Sequence, residues 1–222
     1  MRFKDANVPL KAVLFDFDGT LIDSRKDIAA AANATRRHFG LSSLTEDEVE
    51  SFVGNGVQVL LEKAMETTDP RFIQKSLVYY KDFYREHCLD HTKVYPGVME
   101  LLEALRNHQV KMAVVSNKSQ EFTEQILEKL SLASFFQAAL GPESTVNRKP
   151  NAEPLLTALR MIGAPTTGAV MIGDSVVDIQ AGKAAGLPVG VVTQGYNSRE
   201  ALVEAQPDWM VDSLDEFIGI LL

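Results

Sequence analysis

Cysteine is nearly absent from this sequence: Cys88 stands alone among 222 residues, so no intrachain disulfide can form. It lies in Glu86-His87-Cys88-Leu89, with no second cysteine and no histidine at metal-ligand spacing. That context reads as a semi-buried small residue in a reducing compartment. A surplus of positive charge is missing too. The formal net charge is -8, which excludes the basic stripe that a nucleic-acid partner requires. An anionic ligand must then be drawn in by a local field rather than by the whole molecule. Long apolar runs are also lacking: mainly apolar stretches such as 12–17 fall far short of a membrane span. Residues 1–7 contain no apolar region before Val8, so they do not read as a signal peptide. These absences predict a cytoplasmic protein that binds neither membrane nor nucleic acid.

What is present is an ordinary globular composition, with 45% hydrophobic and 23% charged residues. A core of this size needs neither disulfides nor a structural metal. Short β-branched runs alternate with longer amphipathic ones, the pattern of parallel strands joined by crossover helices. Strands are predicted at Ala12–Asp16, Lys111–Ser116, Ala138–Gly141, Ala169–Gly173, Val189–Thr193 and Trp209–Val211. Their nearly continuous hydrophobicity fits strands buried on both faces. Helices are predicted at Val98–Arg106, Gln120–Lys129, Ala152–Met161, Val177–Ala185, Ser198–Glu204 and Leu214–Leu221. About ninety residues separate the first two strands, far more than one crossover needs. From Ser24 to about Leu89 the periodicity is helical only, in Asp27–Phe39, Glu46–Phe52, Val57–Met65 and Pro70–Glu86. Tyr95-Pro96-Gly97 reads as the return. The expected fold is α/β: a Rossmann-like parallel-sheet core (1–22 and 90–222) with a helical domain (23–89) inserted after the first strand.

Chemistry concentrates where the predicted strands end. The first strand runs into Asp16-Phe17-Asp18-Gly19-Thr20, two carboxylates two residues apart before a glycine that permits a sharp turn. Ligands of open α/β sheets bind outside the carboxyl ends of the strands. A polar turn would also use Asp and Gly, but here an apolar strand leads directly into the pair. The second strand ends in Ser116-Asn117. The hydroxyl and the Asn117 amide, placed at the start of the next helix, are candidates to hold a phosphate; an ordinary helix N-cap is the plainer role for Ser116. Lys149, held by Pro150, can set a point charge on a phosphoryl group, where a solvated Arg148-Lys149 turn is the alternative. The fourth strand ends in Gly173-Asp174-Ser175-Val176-Val177-Asp178. Asp174 can ligate a hard cation, with Asp178 and Thr20 orienting it from behind. First-turn capping explains one of these two aspartates but not the gathering of carboxylates on one sheet edge.

That gathering requires a cation. Each pair of like unit charges at 4 Å costs about 4 kcal/mol at an effective dielectric near 20, and Lys149 alone cannot offset several carboxylates facing a phosphate. Mg²⁺ suits such a site because it takes a few carboxylates, phosphate oxygen and water. The histidines, His38, His87, His91 and His108, show no ligand spacing and read as packing or surface residues. Trp209 and the apolar residues of Leu101–Leu105 read as core. Gly195-Tyr196-Asn197 has the composition of a plain turn.

Taken together, the four segments Asp16-Phe17-Asp18-Gly19-Thr20, Ser116-Asn117, Lys149-Pro150 and Gly173-Asp174-Ser175-x-x-Asp178 resemble the four motifs of the haloacid dehalogenase superfamily, in order and spacing. The helical insertion resembles its cap. Within the superfamily the chain is most similar to bacterial phosphoglycolate phosphatases, through Val53-Gly54-Asn55-Gly56-Val57 in the insertion and Gly195-Tyr196-Asn197 and Gln206-Pro207-Asp208 near the end. The resemblance implies a phosphatase in which Asp16 is the nucleophile and Asp18 the acid/base. It implies Mg²⁺ on Asp16, the Asp18 carbonyl and Asp174, and Ser116, Asn117 and Lys149 on the phosphoryl group. Gly54, Asn55 and Gly56 would meet the leaving group. Asp18 argues against dehalogenase and phosphonate-cleaving relatives, which lack it. The Gly54-Asn55-Gly56 stretch, in place of a Ser-Arg pair, argues against a sugar phosphomutase. Pyrophosphatases and nucleotidases share both core and cap type. A phosphate-binding regulatory protein without turnover would be expected to lack one of the reactive residues, and none is missing. The implied partner is a small phosphorylated metabolite, and the helical faces suit a monomer or a homodimer.

Overall fold

A computed structural model describes residue 3 and residues 8–222. The opening segment 1–7, which does not read as a signal peptide, lies outside the described residues apart from Phe3. The first strand, β1 (Ala12–Phe15), is followed by a two-stranded ribbon, β2 (Ile22–Asp23) with β3 (Lys93–Val94). The others are β4 (Lys111–Val115), β5 (Ala138–Leu140), β6 (Ala169–Gly173), β7 (Val189–Val192) and β8 (Trp209–Val211). Six of them form one parallel sheet in the order β5-β4-β1-β6-β7-β8. The chain builds outward from β1 through β4 to β5, then returns to add β6, β7 and β8 on the other side. The strand order therefore reverses beside β1, and ligands of doubly wound sheets bind at that switch point.

The strands form where the sequence predicts them, for the reason it gives. All four residues of β1 and all five of β6 are buried, as continuous apolar runs between two helical layers must be. Four strands stop one residue short of the predicted end. The residues beyond the strand ends are Asp16, Ser116, Gly141 and Thr193; the Asp16, Ser116 and Thr193 amides still donate to the Ile172, Leu140 and Val211 carbonyls as the backbone leaves the ladder. Trp209 departs from the prediction. It is half-buried rather than core, because β8 is an edge strand, and its ring meets Phe3 edge-on.

The chain divides into two compact units, the sheet unit (up to Ile22, and Val94–Leu222) and a helical unit, Asp23–Lys93. The helical unit holds α1 (Arg25–His38), α2 (Glu46–Glu50), α3 (Val57–Ala64) and α4 (Pro70–His87). Local chemistry starts these helices. Thr45 and Glu48 form a reciprocal capping box at α2, and Asp69 accepts from the Arg71 amide ahead of Pro70 at α4. Buried Asp27 accepts the His91 and Thr92 amides and the Thr92 hydroxyl at 2.7–3.0 Å, which keeps residues 91–92 with this unit. Buried Arg36 spans the Ser42 and Ala64 carbonyls and the Glu66 carboxylate. His38 stacks on Tyr79, a packing role as its context predicts.

In the sheet unit α5 (Val98–Asn107), α6 (Gln120–Lys129), α7 (Glu153–Met161), α8 (Val176–Ala184), α9 (Arg199–Ala205) and α10 (Glu216–Leu221) follow the strands. Leu155 and Leu159 of α7, Ile179 of α8 and Leu202 of α9 pack with Leu14, Val115, Met171 and Val191 into one core. Burying each such side chain is worth about 1.5–3 kcal/mol. The strand ends that carry the polar residues therefore rise from a close-packed base.

Candidate active site

The segment after β1 alternates as a strand does, and its first residue keeps one ladder bond, the Asp16 amide donating to the Ile172 carbonyl at 2.9 Å. Phe15 and Phe17 are completely buried, while Asp16 and Asp18 between and beyond them are partly exposed. The Phe17 carbonyl accepts the amides of Leu21 and Ile22, closing a tight turn around Gly19. Gly19 has φ +82°, and a Cβ there would press into the Asp174 carboxylate and the Tyr196 ring. Glycine is required on both counts. Thr20, fully buried, donates its hydroxyl to Asp174 Oδ1 at 2.9 Å, and so joins the end of β1 to the end of β6.

Lys149 is the hub of the site. Its side chain is 2% exposed, and its Nζ lies 2.9 Å from Asp16 Oδ1 and 2.7 Å from Asp178 Oδ1. Asp178 is fully engaged: its Oδ2 accepts the Ser175 hydroxyl (2.6 Å) and the Ser175 and Asp174 amides. It is also the third helical residue of a capping box with Ser175 at the start of α8. Capping and orientation of the Asp174 backbone are thus one arrangement. Asp174 Oδ2 accepts the Tyr196 amide at 2.8 Å. Carboxylate oxygens of Asp16, Asp174 and Asp178 all lie within 4.8 Å of one another.

Two buried carboxylates, Asp174 and Asp178, and the mostly covered Asp16 gather near one ammonium and leave an excess of negative charge. Burial, and then the Asp178 charge, push Asp16 up to about 7, although Lys149 pulls it down. Burial, then Asp16 and Asp178, hold Asp174 well above the usual carboxylate range. Burial disfavours the Lys149 ammonium, but Asp16 and Asp178 more than offset this and keep it above an ordinary lysine. An all-oxygen donor set with uncompensated charge fits a hard divalent cation. The residues best placed to hold one are Asp16 and Asp174, since Asp178 is consumed by Lys149, Ser175 and backbone amides.

The Asp18 carboxylate is not part of this cluster. It faces Lys118, whose Nζ lies 2.9 Å from Oδ1 and 3.2 Å from Oδ2. Ser116 is buried at the end of β4, and its hydroxyl accepts the Lys118 amide at 3.2 Å. It is not a helix cap, because Ser119 occupies the N-cap position of α6. For the same reason the Asn117 amide lies in the turn before α6 rather than at the helix start. The Asn117 side chain donates to the Lys149 carbonyl at 3.0 Å and so fastens these two segments together. Gly54, Asn55 and Gly56 belong to the helical unit and lead into α3. Asn55 is exposed between glycines of φ +111° and +84°.

Two contributors escape sequence reasoning. Lys118 binds a carboxylate 100 positions away, and no local signal marks that pairing. Gly195-Tyr196-Asn197 is no plain turn: Tyr196 holds Asp174, and Asn197 Oδ1 accepts the Val176 amide at 2.9 Å. A Cβ on Gly195 would press into Asp174. Apart from the family resemblance in which this stretch takes part, its residue types carry no sign of that role.

Comparison with known proteins identifies relatives over nearly the whole chain. A family model described as haloacid dehalogenase-like hydrolase matches residues 13–192. A phosphoglycolate phosphatase of Aquifex aeolicus is 37% identical over 212 residues, covering 96% of this chain and 97% of the relative. That of Neisseria meningitidis is 38% identical over 216 residues, covering 93% and 92%. The crystal structure of a predicted phosphoglycolate phosphatase from Haemophilus somnus superposes with a TM-score of 0.91 at 28% identity, covering 96% of this chain and 98% of the other.

Proposed function

Because the chain belongs to the haloacid dehalogenase-like hydrolases, we propose that it is a Mg²⁺-dependent phosphatase that hydrolyses a small phosphate monoester through an aspartyl-phosphate, with 2-phosphoglycolate as substrate and glycolate and phosphate as products. One observation carries the reading: the two carboxylates that follow β1 have separate environments, Asp16 among carboxylates at Lys149 and Asp18 at Lys118. Groups placed apart in this way can take different roles, one as nucleophile and one as proton carrier. Substrate identity is supported by the relatives named above, and cytoplasmic location by the sequence composition.

In this mechanism an Asp16 oxygen attacks phosphorus while the ester oxygen departs in line. Asp18 delivers a proton to that oxygen, then takes one from the water that hydrolyses the aspartyl-phosphate. Lys149, the Ser116 hydroxyl and the Asn117 amide hold the transferring phosphoryl oxygens. Asp16, Asp174 and the Asp18 carbonyl would hold Mg²⁺, whose charge offsets the carboxylates and the phosphate dianion. Assignment of leaving-group recognition to Gly54, Asn55 and Gly56 in the helical unit rests on the sequence resemblance.

The test is phosphate release from a panel of small esters, with and without Mg²⁺, by the purified wild type and Asp16→Asn. The wild type should show its highest kcat/KM with 2-phosphoglycolate. Asp16→Asn should lose at least about a thousandfold in kcat while remaining folded. A variant rate within tenfold of wild type would remove Asp16 as nucleophile.

A further inference from the structure

We propose that Lys118 is the positioning residue of the acid/base, acting on the leaving group only through Asp18. The inference rests on the reading of Asp18 as proton carrier. The site holds two lysines, and they divide the two carboxylates after β1 between them: Lys149 takes Asp16 and Lys118 takes Asp18. Lys118 spans both oxygens of Asp18, at 2.9 and 3.2 Å, so it fixes the rotation of the carboxylate as well as its location.

This pair is unlike the solvent-exposed ion pairs that contribute little. The two side chains are only 8% and 13% exposed. The base of Lys118 is also anchored, because its amide donates to Ser116 Oγ and the neighbouring Asn117 donates to the Lys149 carbonyl. Asp18 follows Phe17, which is immobilised in the core, and precedes Gly19, which is free in neither backbone angle nor space. Only the side-chain torsions of Asp18 remain to be set, and Lys118 sets them. A proton carrier misplaced by about 1 Å loses much of its effect.

An acid matters in proportion to how poorly the leaving group departs alone. An alkoxide needs the proton, whereas p-nitrophenolate does not. The informative quantity is therefore the ratio of kcat/KM for 2-phosphoglycolate or glycerol 3-phosphate to kcat/KM for p-nitrophenyl phosphate, since kcat/KM reports steps through loss of the leaving group. General acids contribute typically 10²–10⁴-fold, so Asp18→Asn should lower the ratio by about a hundredfold or more. Lys118→Met should lower it about tenfold or more, and Lys118→Arg should restore it to within about threefold of wild type. Should the Met variant not be recovered folded, Lys118→Gln is read in the same way. If Lys118→Met lowers both substrates equally, or leaves the ratio within threefold while Asp18→Asn collapses it, the inference is overturned. If Asp18→Asn itself leaves the ratio unchanged, the acid/base reading beneath it fails instead, and the two failures are told apart.

Discussion

The buried carboxylates couple stability to pH and to divalent cations in a direction fixed by sign. Asp16 titrates near 3.8 when unfolded and is pushed up to about 7 in the fold, by burial first and then by Asp178. Between those values the folded state binds more protons than the unfolded state, so stability falls as pH rises. The contribution is fully present below about pH 4 and lost as pH passes through about 7. Its size follows from 1.36 kcal/mol per tenfold change, about 4 kcal/mol in all. Asp174, raised in the same direction, adds to it. A divalent cation bound by the ionised cluster reverses the loss, by about 3–4 kcal/mol at a hundred to a thousand times its Kd. For a chain of this length that is a rise in Tm of roughly 6–16 °C. The assay is thermal unfolding with and without about 10 mM MgCl₂, against NaCl of equal ionic strength, at pH 5 and pH 8. The Mg²⁺-induced shift should be several times larger at pH 8. Asp16→Asn should flatten both the pH dependence and the cation response. Equal shifts at the two pH values would refute the argument, because they would place the cation away from these carboxylates.

Two substitutions probe the supports of the cluster. Lys149→Met leaves Asp16 and Asp178 facing each other without their shared ammonium, and breaking a buried pair in this way costs about 3–5 kcal/mol. Melting curves should show that deficit in full at pH 8 and a smaller one at pH 5, where Asp16 is protonated. Gly195→Ala places a methyl against Asp174 where Tyr196 holds it. It should weaken Mg²⁺ binding about 10–100-fold by calorimetry, the usual cost of disturbing a ligand's support, and crowding of buried Asp174 should lower the stability of the metal-free protein by about 1–3 kcal/mol.

What could be read from sequence alone divides by the range of the interaction. The strands of the sheet were legible because burial on both faces forces continuous apolar runs, and β1 and β6 show this without exception. The two-residue strands β2 and β3 were not, since two residues carry no periodicity and their pairing closes over a loop of about seventy residues. Trp209 misled because hydrophobicity does not distinguish an edge strand from a central one. Among site residues, Asp16, Ser116 and Asp174 could be listed because each directly follows a strand whose ladder is aligned with its neighbours, Phe15 beside Val114 and Ile172. That register sets Asp16 level with Val115 and Gly173, so Ser116 and Asp174 follow one residue further along the same sheet edge. The Ser116 alternative of a helix cap fails for a local reason, since three residues of turn intervene before α6 and Ser119 takes that place.

The contacts that resisted sequence reading are those between side chain and backbone, or between charges far apart in the chain. The Tyr196 amide has no residue-type signature, because every residue but proline owns one. Lys118 was visible as a lysine, but only the fold assigns it to Asp18 rather than to a phosphate. This division has a consequence for the chemistry. The residues legible from sequence have side chains suited to making and breaking bonds, and the residues that were not legible hold those groups in place. A sequence that kept Asp16, Asp18, Ser116, Lys149 and Asp174 but lost Gly195 or Lys118 would still present every reactive group. It would differ in where Asp174 and Asp18 point, and reaction rate depends on that placement as strongly as on the groups themselves.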